Sequence, residues 1–157
     1  TVGTELWRID SANSGPVDDG LEIDYTSFSE TTALVFNGAA TQANNRLRLT
    51  PARQNQAGSV FYQEGFTLTD STSFETYFEF QIGSGQGRRG ADGFTWVLHS
   101  GPAGNGALGN RGGSLGYDGI SESLAIEFDT YGGNLGDGDN DNHISVLRDG
   151  NLSAPLV

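Results

Sequence analysis

SFETYFEFQI, residues 73–82, sets Phe74, Phe78, Phe80 and Ile82 on one parity and Glu75, Tyr77, Glu79 and Gln81 on the other. A two-residue period is the signature of a half-buried strand, and only Thr76 interrupts the apolar side. Working outward, shorter strands are predicted at 21–25, 33–36, 46–50, 59–62, 94–99, 123–131 and 143–147, separated by clusters of Gly, Asn and Asp that turn a chain. With 24 glycines in 157 residues, helices are disfavoured, because an interior glycine costs about 1 kcal/mol relative to alanine. Many short strands with no helical pattern between them predict an all-β fold, an antiparallel β-sandwich or jelly roll. The glycine-rich stretch 83–90 (GSGQGRRG) is short enough to be a hairpin loop, so residues 1–157 are expected to form one domain.

Charge narrows the function. The chain has 8 basic and 20 acidic residues, a formal charge of −12, and all of its basic residues are arginine. Phosphate would be repelled and no basic stripe reverses this locally, so nucleic acid is excluded as a partner. No run of about 18 apolar residues exists to insert into a membrane. Without cysteine there is no disulfide framework and no thiolate metal site, and any metal must be held by oxygen and imidazole.

The acidic residues are concentrated. Residues 118–149 hold six Asp and two Glu against Arg148 alone, a net −7 of the total −12. On the strand predicted at 123–131, Leu124, Ile126 and Phe128 share one face while Glu127, Asp129 and Tyr131 share the other. Glu127 and Asp129 then project side by side, roughly 7 Å apart at Cα for a rise of about 3.3 Å per residue. The loop 132–142 (GGNLGDGDNDN) follows, and His143 opens the next strand. If the two strands are neighbours, His143 reaches the carboxylate pair. Unpaired carboxylates at this density repel until one becomes neutral, and a divalent cation removes the conflict. Calcium takes six to eight oxygens of the kinds this loop supplies, while an imidazole suits a transition ion such as manganese at an adjacent position. The plainer alternative is a solvated acidic loop with no ion.

These residues carry a resemblance. AIEFDTY (125–131), the Asp-rich loop and NHISV (142–146) resemble the metal-binding segment of the legume-type (L-type) lectins. ADGFTWVL (91–98) resembles that family's Ala-Asp-Gly strand, GGSLGY (112–117) its glycine-rich sugar loop, and SFETYFEFQI the strand before them. The resemblance implies a concanavalin-like jelly roll that binds carbohydrate without catalysis in a secreted or cell-surface protein. It implies Glu127, Asp129 and His143 as ligands of a transition-metal site, with Asp129 bridging to a calcium that also takes the Tyr131 carbonyl and the Asn134 side chain. The family's second bridging Asp falls on Gly138, which leaves Asp137 and Asp139 as candidates, and Asn134 stands one residue later than usual. For sugar, the matching positions are Asp92, the Gly113 N–H, Asn134 and the Tyr131 ring, with the Ala91–Asp92 bond cis. On local sequence alone, Asp92 reads as a turn residue.

Several features have plainer readings. His99 lacks acidic neighbours and reads as structural, Trp7 and Trp96 read as core, and Arg88 and Arg89 read as a solvated loop tip. The glycines between 101 and 113 do not form a phosphate loop, since no lysine and no helix follow. A jelly-roll glycoside hydrolase is the rival from another class, but it needs a second catalytic carboxyl group, and Thr130, Tyr131, Gly132 and Gly133 follow Asp129. A third alternative is an adhesion domain that calcium rigidifies without sugar binding. Because complete domains of the resembled family continue well beyond the metal loop, the chain is expected to lack their C-terminal strands. Another chain or further domains would complete the sandwich, and the free chain is expected to associate. The acidic, lysine-free composition is more bacterial than plant in character.

Overall fold

The computed structural model describes residues 4–10, 23–83, 90–132 and 142–157. Among these residues there are nine strands and no α-helix: β1 (Thr4–Asp10), β2 (Leu34–Gly38), β3 (Thr41–Ala43), β4 (Arg46–Arg48), β5 (Gly58–Tyr62), β6 (Tyr77–Ile82), β7 (Gly93–His99), β8 (Ser123–Asp129) and β9 (His143–Arg148). Every strand pairing is antiparallel. The strands form a sheet of order β3-β4-β1-β6, a two-stranded sheet β2-β5, and a sheet of order β7-β8-β9. The absence of a long apolar helix among the described residues leaves none that could cross a membrane as a helix.

Aromatic side chains join the two larger sheets. Phe78 and Phe80 of β6 meet Phe94 of β7 and Phe128 of β8 with ring centroids 4.7–6.1 Å apart, and Phe94 stacks on Phe128 at 4.8 Å. Spacings of this kind add to the apolar burial of the rings. The opposite face of β7-β8-β9 is covered by the chain between β7 and β8. There Ala107, Tyr117 and Ile120 form a buried cluster with Ala125, Leu147 and Leu152. Tyr117 is fully buried, its hydroxyl sharing a hydrogen bond with Ser123 Oγ at 2.8 Å and accepting from Gly150 N–H at 3.1 Å. Two short 3-10 turns, Gly104–Gly106 and Gly112–Ser114, shape this covering segment.

The structure departs from the sequence expectations in four places. The segment 73–82 pairs only from Tyr77 onward, and Phe74 is 54% exposed, although its ring lies 6.1 Å from Trp96. The strand predicted at 21–25 is absent over its described part. Tyr25 makes only a single bridge and stacks on Phe28 at 5.2 Å, and Phe28, fully buried and bonded through its N–H to the Asn45 carbonyl at 3.1 Å, anchors the segment instead. β1 and β3 were not anticipated. In β1 the apolar residues Leu6, Trp7 and Ile9 keep no parity, and its register against β6 shifts between Leu6 and Arg8, which erases the periodic signal. β3 is three residues long and polar.

Candidate metal and sugar site

β8 is the middle strand of its sheet, and its register assembles the site. Asp129 stands opposite Gly93 of β7 and His143 of β9, while Glu127 stands opposite Thr95 and Ser145. Directly opposed residues of antiparallel strands point to the same face, so Glu127, Asp129, His143 and Ser145 all project to one side. One ligand atom from each of Glu127, Asp129 and His143 lies within 4.8 Å of the others. Both carboxylates are 3% exposed. The acidic face of β8 is thus the covered one, whereas Leu124 on the apolar face is 44% exposed.

Burial raises the Glu127 pKa above the ordinary carboxylate value. A hydrogen bond from Ser145 Oγ and the nearby His143 oppose that shift, and the Asp129 carboxylate adds to it. His143 Nε2 is 3.5 Å from Glu127 Oε2, and its Nδ1 is buried with no hydrogen-bond partner among the described residues. Asp129 Oδ1 accepts from the Tyr131 N–H at 2.7 Å, which fixes the carboxylate at the strand end. Two desolvated carboxylates and one imidazole, converging on one point, are the donor set of a divalent transition ion. The residues present therefore fit a metal.

Asp92 is delivered to the same place by a glycine. Gly93 has φ +142°, and a Cβ there would fall 2.2 Å from the Phe128 carbonyl oxygen, so only glycine lets β7 begin directly opposite Asp129. The Ala91–Asp92 peptide bond is cis. The Asp92 carbonyl accepts from Thr130 N–H at 3.0 Å and from Thr130 Oγ1 at 3.2 Å. Burial, and next the Asp129 carboxylate, raise the Asp92 pKa. The glycine loop closes the site from the other side: a Cβ on Gly112 (φ +64°) would stand 3.9 Å from Asp92 Oδ2. Within this loop Leu115 N–H donates to the Gly112 carbonyl at 2.8 Å and Gly116 N–H to that of Asn110 at 2.9 Å.

The structure thus brings together Glu127, Asp129, His143 and Asp92, and it sets Gly113 one residue from the glycine that faces Asp92. The Tyr131 ring is 49% exposed at the end of β8. Asn134, Asp137 and Asp139, like Arg88 and Arg89, lie outside the described residues. Sequence reasoning gave no role to Ser145 or Thr130. The signal for Ser145 was its parity with His143, two residues on, and Thr130 had none. His99, read as structural from the sequence, lies outside the Glu127–Asp129–His143 group, with its ring edge-on to Phe61 at 5.0 Å.

The family model of the legume lectin domain matches residues 20–154 of this chain. The chain belongs to that family. It is 33% identical over 123 residues to the lectin beta-1 and beta-2 chains of Lathyrus ochrus, a match covering 72% of this chain and 67% of that protein. It is also 33% identical over 107 residues to favin from Vicia faba, covering 62% of this chain and 46% of favin. To the lectin of Pisum sativum it is 31% identical over 123 residues, covering 72% of this chain and 44% of that lectin. The match therefore spans less than half the length of two of these relatives. Legume lectins bind carbohydrate and do not transform it, so this lectin domain is not an enzyme and the hydrolase alternative is not favoured. Its antiparallel sheets are those of the family's β-sandwich.

Proposed function

We propose that this lectin domain binds glycans or glycoproteins in a calcium-dependent manner, as part of a secreted or cell-surface protein. The observation that carries the proposal is the convergence of Glu127, Asp129 and His143 within 4.8 Å, in the same sheet register that sets Asp92 beside the glycine loop. In this reading Glu127, Asp129 and His143 hold a transition ion such as Mn2+. Asp129, the Tyr131 carbonyl, Asn134 and one of Asp137 and Asp139 hold Ca2+. The ions would supply the positive charge that lets these carboxylates stay ionised together.

Sugar recognition falls to the protein's own groups. The Asp92 carboxylate accepts hydrogen bonds from two neighbouring hydroxyls, the Gly113 N–H and the Asn134 amide donate to the oxygens of those hydroxyls, and the exposed Tyr131 ring packs on the C–H face of the sugar. The reading extends to a further chain or domain over the exposed face of Leu124 and Ile144.

A glycan array probed in calcium and after EDTA, with folding followed by circular dichroism, tests the function. Binding in calcium that disappears with chelator while the sheet signal persists is the expected result. Asp92→Ala is expected to abolish sugar binding while leaving metal uptake intact, and Asp129→Ala to abolish both. A folded, calcium-loaded chain that binds no glycan would overturn the proposal.

A further inference from the structure

Beside the glycine loop stands another loop, residues 51–56 (PARQNQ). The Gly112 N–H donates to the Gln56 carbonyl at 3.4 Å, which ties this loop to the one facing Asp92. It is braced from within: Gln56 Nε2 donates to the Gln54 and Asn55 carbonyls at 3.0 and 3.2 Å, and Arg53 N–H donates to the Pro51 carbonyl at 2.7 Å. Asn55 adopts φ +58° to make the turn. The bracing leaves Arg53, Gln54 and Asn55 exposed, and Arg111, directly before Gly112, is exposed as well. Arg53 is three residues from Gln56, a span of at most about 10 Å of chain.

Neither guanidinium makes an ion pair or a side-chain hydrogen bond among the described residues, whereas Arg46 and Arg48 of β4 are each engaged. In a chain with 20 acidic and 8 basic residues, this puts two positive charges without an acidic partner on the flanks of one loop. The charged groups nearest the sugar position on the other side, Asp92, Asp129 and Glu127, are all carboxylates, so they would repel an acidic ligand that no cation received. A neutral sugar engages a guanidinium only through hydrogen bonds to its hydroxyls. A carboxylate or sulfate group matches it better, because each guanidinium presents paired N–H donors suited to two oxygens and a compensating charge.

We infer that the wall formed by residues 51–56 and Arg111 is an outer subsite for glycans bearing an anionic substituent, with Arg53 and Arg111 receiving the charge and Gln54 and Asn55 bonding the adjoining hydroxyls. This rests on the reading of Asp92 and the glycine loop as the sugar site. Acidic selectivity is therefore a property of the loop outside the first sugar, separate from the metal-supported centre.

The test uses pairs of glycans with a common core, one neutral and one carrying a uronic acid or a sulfate ester, against the calcium-loaded chain at low and high salt. The acidic member is expected to bind about tenfold tighter at low salt, and the preference to shrink as salt screens the exposed charges. Arg53→Gln and Arg111→Gln should each lower the acidic-to-neutral ratio about threefold, the scale of one exposed charge contact, and the double variant should remove it. The uronic-acid and sulfate arms show which anion the wall prefers. Equal binding of acidic and neutral members, or a preference that survives in the double variant, overturns the inference while leaving the sugar site standing. Failure of the wild-type chain to bind any glycan, or binding that persists in Asp92→Ala, overturns the site reading and this inference with it.

Discussion

At the scale of single residues, Gly93 decides whether the site exists. It is opposed to Asp129 across β7 and β8, and the space a Cβ would need is filled by the Phe128 carbonyl oxygen at 2.2 Å, a backbone atom that cannot rotate away. Its φ of +142° is also one that side-chain-bearing residues rarely adopt. Gly93→Ala should therefore push β7 off β8 at the point where Asp92 is held. The expected loss of stability is about 1–3 kcal/mol, as for other overpacked sites, and sugar affinity should fall further than the melting temperature alone accounts for. Urea denaturation combined with glycan titration checks this. A variant with wild-type stability and affinity would show that the strand start is less constrained than its geometry implies.

At the scale of elements, β8 and β9 convert a sequence pattern into a cluster of three candidate metal ligands. The pattern was legible: the i, i+2 spacing of Glu127 and Asp129 and the opening position of His143 placed three donors on one face once the strands were neighbours. What alternation could not tell is which face would be covered. Two unlike faces are visible in any period-2 strand, but the cover over the acidic one comes from the chain between β7 and β8, where Tyr117 and Ile120 pack on Ala125 and Leu147. The short side chains of Ser123 and Ala125 leave room for that cover. The same limit explains β1, whose register shift hides its period, and β3, which has too few residues to show one.

Covering the acidic face has an electrostatic consequence. The folded pKa of Glu127 is raised by burial, above its unfolded value of about 4.3. In the metal-free chain its ionisation therefore opposes folding at neutral pH, and that penalty is relieved as pH falls through the raised value. A bound ion acts in the opposite sense, since it requires the ionised carboxylates and competes with protons. The gain in melting temperature on adding Ca2+ and Mn2+ to the EDTA-treated chain should accordingly be largest near neutral pH and shrink as pH falls, because protons compete with the ions for the same carboxylates. Differential scanning fluorimetry across that range measures it, and a gain independent of pH would mean that these carboxylates do not bind the ions.

At the scale of the whole molecule, the apolar face of β7-β8-β9 is only partly covered by the sheet that contains β6. Phe94 is buried beneath the aromatic cluster, but Ile144 on β9 is 65% exposed, Leu124 on β8 is 44% exposed, and Phe80 across from them is 41% exposed. The outer edge of β9 carries Leu156 and Val157, with Leu156 N–H donating to the Val146 carbonyl at 2.7 Å and Val146 N–H to the Val157 carbonyl at 3.2 Å. These two residues are themselves 47% and 83% exposed. An apolar sheet face beside a thinly covered strand edge favours association in water, because each buried Å2 of apolar surface returns about 25 cal/mol. The purified 157-residue chain should therefore self-associate. In sedimentation velocity its average mass should rise with concentration, and Leu124→Gln combined with Ile144→Thr should move the distribution toward monomer. Both residues are exposed, so the double variant is expected to keep the wild-type circular dichroism spectrum. A wild-type chain that stays monomeric across the accessible concentration range would place the energetic cost of this open face below what association can recover.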